Sequence, residues 1–237
     1  MIKGLLFDYG GTIDTNGRHW AEVLWDAYVA EAVSVTKEQF RQAYVFGERT
    51  LAQRPLVLPH HHFGDVMRIK CGLQAGFLQE RGEISPRDAF RITDGVSSRC
   101  YNEARRCTAN ARQTLEHLQL NYPMALVSNF YGNIAAVLDD FGLAGFFPHI
   151  VESSVVGIRK PNPAIFRLGA EALGLLPNEC VVIGDSESKD ILPAQSIGCQ
   201  TIWIKGDAWE TTDTEEQTAG DCLAVISDFR ELINYLG

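Results

Sequence analysis

The sequence predicts an α/β protein, a doubly wound parallel (Rossmann-like) sheet with an all-α helical-bundle cap inserted after the first strand. Three observations predict it. The chain opens with a strand-length apolar run, Ile2-Lys3-Gly4-Leu5-Leu6-Phe7, that ends in Asp8-Tyr9-Gly10-Gly11-Thr12. The following stretch carries apolar residues at helical spacing only, and from Asn110 onward short runs rich in branched residues alternate with helical segments. Such alternation is the pattern of parallel strands joined by crossover helices. The expected division is 1–14 and 107–237 for the core and 15–106 for the cap.

In the cap, His19 to Ala32 places Trp20, Val23, Leu24, Ala27, Tyr28 and Ala32 on one helical stripe. Thr36 with Gln39 reads as a capping box that opens a second helix, running to about Arg54. Pro55 and Pro59 break the chain. A third helix is expected from about His62 to Leu78, and a fourth from Ser85, with Pro86 at its first position, toward Arg105. In the core, helices are expected at Asn110–Leu120, Asn133–Phe141, Pro163–Leu173 and Ile191–Ile197. Strands are expected at Met124–Val127, His149–Val151, Val181–Ile183, Thr201–Ile204 and Ala224–Ile226. A last helix, Asp228–Leu236, would be capped by Ser227, and the polar stretch Asp207–Asp221 would be a solvated surface loop.

With 237 residues, 46% hydrophobic and 22% charged, the chain can bury a substantial core. Its net charge of -9 argues against broad binding to nucleic acid or membrane surfaces, which would repel it. No apolar stretch reaches membrane-spanning length, and Asp8 stands where a signal peptide needs its apolar segment, so a cytoplasmic location is expected. Six scattered cysteines without a Cys-x-x-Cys pair read as reduced packing residues.

In an open parallel sheet, ligands bind beyond the carboxyl ends of the strands. What stands after each apolar run is therefore informative. The first run ends in Asp8, the second in Ser128-Asn129, and a later one in Gly184-Asp185-Ser186, while Arg159-Lys160-Pro161 precedes a helix start. Convergence of these segments on one rim would join carboxylates, a hydroxyl, an amide and an ammonium group. Such a set suits Mg²⁺ and a phosphoryl group.

On these four ordered motifs, Asp8-Tyr9-Gly10-Gly11-Thr12, Ser128-Asn129, Lys160-Pro161, and Gly184-Asp185-Ser186 followed by Asp190, the chain resembles the haloacid dehalogenase-like superfamily of hydrolases, in the branch with an inserted helical cap. The resemblance covers nearly the whole chain. It implies Asp8 as a nucleophile that forms an aspartyl-phosphate. Thr12 and Ser128, with the backbone amides around Gly10 and Gly11, would bind phosphoryl oxygens. Asn129 would orient its loop or touch substrate, and Lys160 would balance charge on Asp8 and the phosphoryl group. Asp8, the carbonyl oxygen of Gly10 and Asp185 would bind Mg²⁺, with Asp190 orienting Lys160 or metal-bound water. The implied activity is Mg²⁺-dependent hydrolysis of small phosphorylated metabolites, by a monomer or small homo-oligomer.

One position departs from the family pattern. Phosphatases of this family usually carry a second aspartate two residues after the nucleophile as general acid and base, and here that position is Gly10. Asp14 is a candidate substitute, read first as a turn acid or helix cap. A second reading is a phosphonate-cleaving enzyme, whose Schiff-base lysine would have to be Lys37 or Lys70 in the cap, although Arg49 is the side chain expected to project there. A third is a phosphate-ligand binding or regulatory protein with weak turnover. A metal-free dehalogenase fits less well, because that branch lacks the acid seen as Asp185. In the cap, His60-His61-His62 reads as a solvated turn. Arg18, His19, Arg49 and Arg54 are candidate anion contacts or surface charges, and Trp20 and Trp25 are read as cap core.

Overall fold

The computed structural model describes residues 1–206 and 221–237. The stretch 207–221, expected as a surface loop, therefore lies outside the described residues except for Asp221. The core strands are β1 (Gly4–Phe7), β2 (Met124–Ser128), β3 (His149–Glu152), β4 (Cys180–Gly184), β5 (Gln200–Ile204) and β6 (Ala224–Ile226). They form one sheet in the order β3-β2-β1-β4-β5-β6, with every neighbouring pair parallel. The chain steps outward from β1 to β2 and β3, then returns to the other side of β1 with β4. The order therefore reverses between β1 and β4, which is where ligands bind in such sheets.

Alternation along the strands sends side chains to two cores. Leu5, Phe7, Leu126, Val181, Ile183 and Ile202 pack in one buried cluster with Leu115, Leu118, Ile134, Val137, Phe229 and Leu232. Leu6, Ala125, Val127 and Val182 pack in the other with Ile165, Phe166, Ala170 and Ala194. Two covered faces explain why the strands read as continuous apolar runs.

The cap holds α1 (Trp20–Ala30), α2 (Lys37–Gln53), α3 (Phe63–Glu80) and α4 (Pro86–Phe90). The N-cap of α1 is His19, and the Thr36–Gln39 capping box opens α2 as expected. Trp25 packs on Phe40 with ring centroids 5.3 Å apart, inside the cap core. After α4 a wide π-helical turn, Arg91–Val96, leads into α5 (Ser97–Leu118). The sequence predicts two helices there, one reaching toward Arg105 and one beginning at Asn110, whereas α5 runs unbroken through residues 106 and 107. No Gly or Pro interrupts this stretch, and Cys100, Ala104, Cys107, Ala111, Leu115 and Leu118 keep one buried stripe at helical spacing, with Asn110 exposed. The cap and one sheet face consequently share a continuous apolar cluster.

Between the later strands lie α6 (Ile134–Asp140), α7 (Ser153–Val156), α8 (Ala164–Ala172) and α9 (Leu192–Ser196), and the chain ends in α10 (Ile233–Leu236). A short 3₁₀ turn, Phe229–Leu232, precedes α10. Its cap is Asp228 rather than Ser227: the Asp228 carboxylate accepts the Arg230 N–H, while the Ser227 hydroxyl is bound to Glu231. All six cysteines are free, five buried and Cys222 half-buried. No described helix is long and apolar enough to cross a membrane.

Gly169 lets α8 lie close on the sheet, since a Cβ there would stand 2.7 Å from Val127 Cγ2 and 3.2 Å from Leu6 Cδ2. Gly169→Val is therefore expected to lower the unfolding free energy by about 1–3 kcal/mol. Urea unfolding monitored by tryptophan fluorescence checks this.

Candidate active site

Asp8 leaves the sheet at the carboxyl end of β1, and its N–H donates to the Ile183 carbonyl at 2.9 Å, so β4 fixes its position beside Asp185. Lys160 reaches it from the loop before α8. The Lys160 ammonium donates to Asp8 Oδ1 at 2.5 Å and to Asp190 Oδ1 at 2.7 Å, with all three side chains buried. Burial would lower the Lys160 ammonium, but Asp190 and Asp8 outweigh it and hold it above its ordinary value. Asp190 Oδ2 also accepts the Ser186 N–H at 3.1 Å, so this acid holds the lysine and is held by the backbone. Asn129 acts on the same lysine through its main chain: the amide accepts the Lys160 N–H at 2.9 Å and donates to the Lys160 carbonyl at 3.2 Å.

Thr12 Oγ1 stands 3.2 Å from Asp8 Oδ2 and 3.1 Å from Asp185 Oδ1, between two carboxylates that its single proton can serve one at a time. The Ser128 hydroxyl, at the end of β2, is buried and has no hydrogen-bond partner in the protein. Gly11, at φ +99°, brings its backbone against Asp185, where a Cβ would collide with the carboxylate. Its N–H, expected to face a phosphoryl oxygen, donates instead to Asp14 Oδ1 at 2.7 Å. At Gly10 a Cβ would meet nothing within 4 Å. That position has room for a side chain.

A metal fits the donor set. Asp8, Asp185 and Asp190 each offer a carboxylate oxygen, and these atoms lie within 4.8 Å of one another. Three carboxylates face one ammonium group. Burial, then the charges of Asp8 and Asp190, raises the Asp185 carboxyl well above the usual carboxylate range. A hard divalent cation would relieve that repulsion through oxygen ligands. Asp190 has both oxygens engaged, Oδ1 by Lys160 and Oδ2 by the Ser186 N–H, whereas Lys160 takes only Oδ1 of Asp8, and Asp8 Oδ2 and Asp185 share the one Thr12 proton. Asp8 Oδ2 and Asp185 are therefore the more available donors.

These groups open on a cavity of about 440 Å³ between sheet and cap. Sequence reasoning missed much of its cap side: Tyr44, Glu48, Phe63 and Met67 line it, as does Tyr131 from the loop after β2. Trp20, read as cap core, also lines it and donates from Nε1 to Asp14 Oδ2 at 3.0 Å. His19 is in the lining too. Its Nδ1 accepts the Ala21 N–H, and burial, aided by the Lys189 ammonium, pushes it down to about 4, leaving a neutral ring with its proton on Nε2. Arg49 and Arg54 are exposed and outside the lining, and Arg18 pairs with Asp26 at 2.6 Å. His60 and His62 are exposed and His61 half-buried, in a turn where His61 Nδ1 accepts the Leu58 N–H and Asn133 holds the His61 carbonyl.

Asp14 is a buried turn acid, not the cap of α1. Burial pushes it from an ordinary 3.8 up to about 7, against the two N–H groups that stabilise its charged form. A raised folded value means that the folded chain holds this proton after the unfolded chain has lost it. The associated stability is fully present below pH 3.8 and is lost as pH rises through about 7. In chelator, the unfolding free energy of Asp14→Asn relative to wild type is expected to rise by up to about 4 kcal/mol between pH 4 and 7. Denaturant titrations across that range check it.

A family model described as haloacid dehalogenase-like hydrolase matches residues 2–198. The chain is 32% identical over 94 residues to glyceraldehyde 3-phosphate phosphatase of Pyrococcus furiosus, a match that covers 40% of this chain and only 38% of that protein. It is 28% identical over 204 residues to phosphoglycolate phosphatase of Pectobacterium atrosepticum, covering 85% of this chain and 79% of that protein. Among solved structures, the crystal structure of a dehalogenase with an intermediate complex superimposes with a TM-score of 0.65 at 19% identity, over 99% of this chain and 97% of that chain. At that identity the likeness shows the fold alone. With the parallel sheet, its helical cap and a family model spanning residues 2–198 of 237, the chain belongs to the haloacid dehalogenase-like hydrolases.

Proposed function

We propose that this chain is a Mg²⁺-dependent phosphatase of small phosphorylated metabolites, with Asp8 as nucleophile. One observation carries the reading: a buried carboxylate gripped by an ammonium group shares a cavity with a buried serine hydroxyl that no protein group satisfies. A phosphoryl group entering that cavity would meet a nucleophile, a cation and a hydroxyl donor together. The phosphatase names of the two relatives point the same way.

In this mechanism an Asp8 carboxylate oxygen attacks phosphorus as the bond to the ester oxygen breaks, the leaving oxygen takes its proton from water, and a second water splits the aspartyl-phosphate to give inorganic phosphate and restore Asp8. Lys160 neutralises charge on the transferred group, and the Ser128 hydroxyl donates to one of its oxygens. Asn129 and Asp190 keep Lys160 in place, one by its main chain and one by its ammonium group. Asp8, Asp185 and the Gly10 carbonyl would hold Mg²⁺, which when bound supplies positive charge to the phosphoryl oxygens. Gly10 offers no proton to the leaving alcohol, so activated esters are the favoured substrates.

The Schiff-base alternative needs a neutral amine in the cavity. Lys37 is outside the lining and pairs with Glu22 at 3.5 Å. Lys70 does line the cavity, but it is ion-paired with Glu48 at 2.7 Å. Burial would lower its ammonium, but the Glu48 carboxylate beside it holds it well above its ordinary value. A lysine so held is an anion partner rather than a nucleophile.

Asp8→Asn is expected to cut turnover of an aryl phosphate on the order of 10⁴-fold, and chelation of Mg²⁺ to abolish it. Activity that survives either change overturns the reading. Because a Cβ at Gly10 is unobstructed, Gly10→Asp is expected to raise the rate on alkyl phosphates by about 10²-fold and that on aryl phosphates far less. Steady-state rates on the two ester types decide it.

A further inference from the structure

The two halves of the cavity differ in charge. Among the described residues, Arg159, Lys160, Lys189 and Lys205 line it from the core, together with the carboxylates around Asp8. From the cap, the charged lining residues are Glu48 on α2 and Lys70 on α3, and these two pair with each other. Their exposure is unequal. The Lys70 side chain is 6% exposed and that of Glu48 is 34%, so the ammonium lies beneath and the carboxylate is presented.

The neighbours fix which part of Glu48 is on offer. Oε1 is buried against the Lys70 ammonium at 2.7 Å, while Oε2 accepts the Tyr131 hydroxyl at a long 3.5 Å and keeps capacity for another donor. Tyr44, one helical turn before Glu48, also lines the cavity, and burial keeps both phenols protonated. His19 beside them is neutral. The part of the cavity around Glu48 is therefore rich in hydrogen-bonding groups and shows an acceptor oxygen to whatever enters; its cap cation, Lys70, is already paired, while Lys189 acts on His19 and Arg159 on Tyr131 from the core side.

We propose that Glu48, seated on Lys70 and steadied by Tyr131, reads the non-reacting half of the substrate and selects phosphate monoesters whose alcohol carries further hydrogen-bond donors, hydroxyl or ammonium, over esters that carry a second carboxylate. This rests on the phosphatase reading above. A substrate hydroxyl or ammonium would donate to Glu48 Oε2, whereas a substrate carboxylate would be brought against a like charge whose cationic partner is already used. The preference runs opposite to the one named by the phosphoglycolate phosphatase relative. Specificity in this chain thus turns on residues of α2, α3 and the loop after β2.

The test separates selectivity from turnover. Binding of sn-glycerol 3-phosphate, phosphoethanolamine and 2-phosphoglycolate to Asp8→Asn, measured by calorimetry with Mg²⁺, reads selectivity without chemistry. The first two are expected to bind at least about tenfold more tightly than the third. Adding Glu48→Gln is expected to shrink that gap below about threefold, through tighter binding of 2-phosphoglycolate. Should that variant fail to fold, Tyr131→Phe, which removes only the hydroxyl on Oε2, is expected to narrow the gap by about twofold or more. Equal or tighter binding of 2-phosphoglycolate to Asp8→Asn overturns the assignment, as does a gap unchanged by these substitutions or no binding of any ester. Wild-type turnover of an aryl phosphate is measured in parallel. Its absence overturns the phosphatase reading alone, since the binding ratios stand without it.

Discussion

The Lys160 ammonium, held between Asp8 and Asp190, is the interaction on which the site depends. Moving one ammonium and two carboxylates out of water costs several kcal/mol per ion, and close contact recovers this only where the remaining hydrogen-bonding capacity is also met. Here it is met from several directions: Ser186 donates to Asp190, Thr12 to Asp8, and Asn129 fixes the lysine's own peptide. The triad carries a net negative charge even so, and Asp185 adds to it. A bound cation would relieve that imbalance, as the geometry of the three carboxylates allows.

The sheet order explains why these groups meet although the residues are up to 182 positions apart in sequence, as Asp8 and Asp190 are. β1 is central, and the reversal between β1 and β4 leaves a crevice above it that no crossover covers. Loops from β1, β2 and β4 empty into the same crevice. The cap closes it from above with Phe63 and Trp20, whose rings lie 5.5 Å apart, and Tyr9 packs edge-on to Phe63 and Phe130.

Much of the core was legible in the sequence because each chemical residue followed an apolar run. Asp8, Ser128 and Asp185 sit one step past, or at, a strand end, and that placement needs only the rule on where parallel strands deliver their ligands. Asn129 and Lys160 were legible as neighbours of the site, but their mutual grip was not, since pairing between residues 129 and 160 is set by the loops and not by periodicity. The cap was harder. An amphipathic stripe looks the same whether it faces a packed core or a cavity, which is why Trp20 read as core. A signal did exist in α3: Lys70 falls on the same face as Val66, Met67 and Cys71, and a lysine on a buried stripe requires a partner. The partner, Glu48, is on another helix and left no mark at a fixed spacing.

α5 has a mechanical consequence. Its first turns belong to the cap and its last, with Leu115 and Leu118, are packed with Phe229 and Leu232 beneath the sheet. At the other crossing, Gly17 and Gly206 touch backbone to backbone, so closely that a Cβ on Gly206 would stand 2.6 Å from the Gly17 carbonyl carbon. The cap is thus joined to the sheet by a rigid strut on one side and a riveted loop on the other. Any tilt of the cap would have to move the strut's far end among packed side chains.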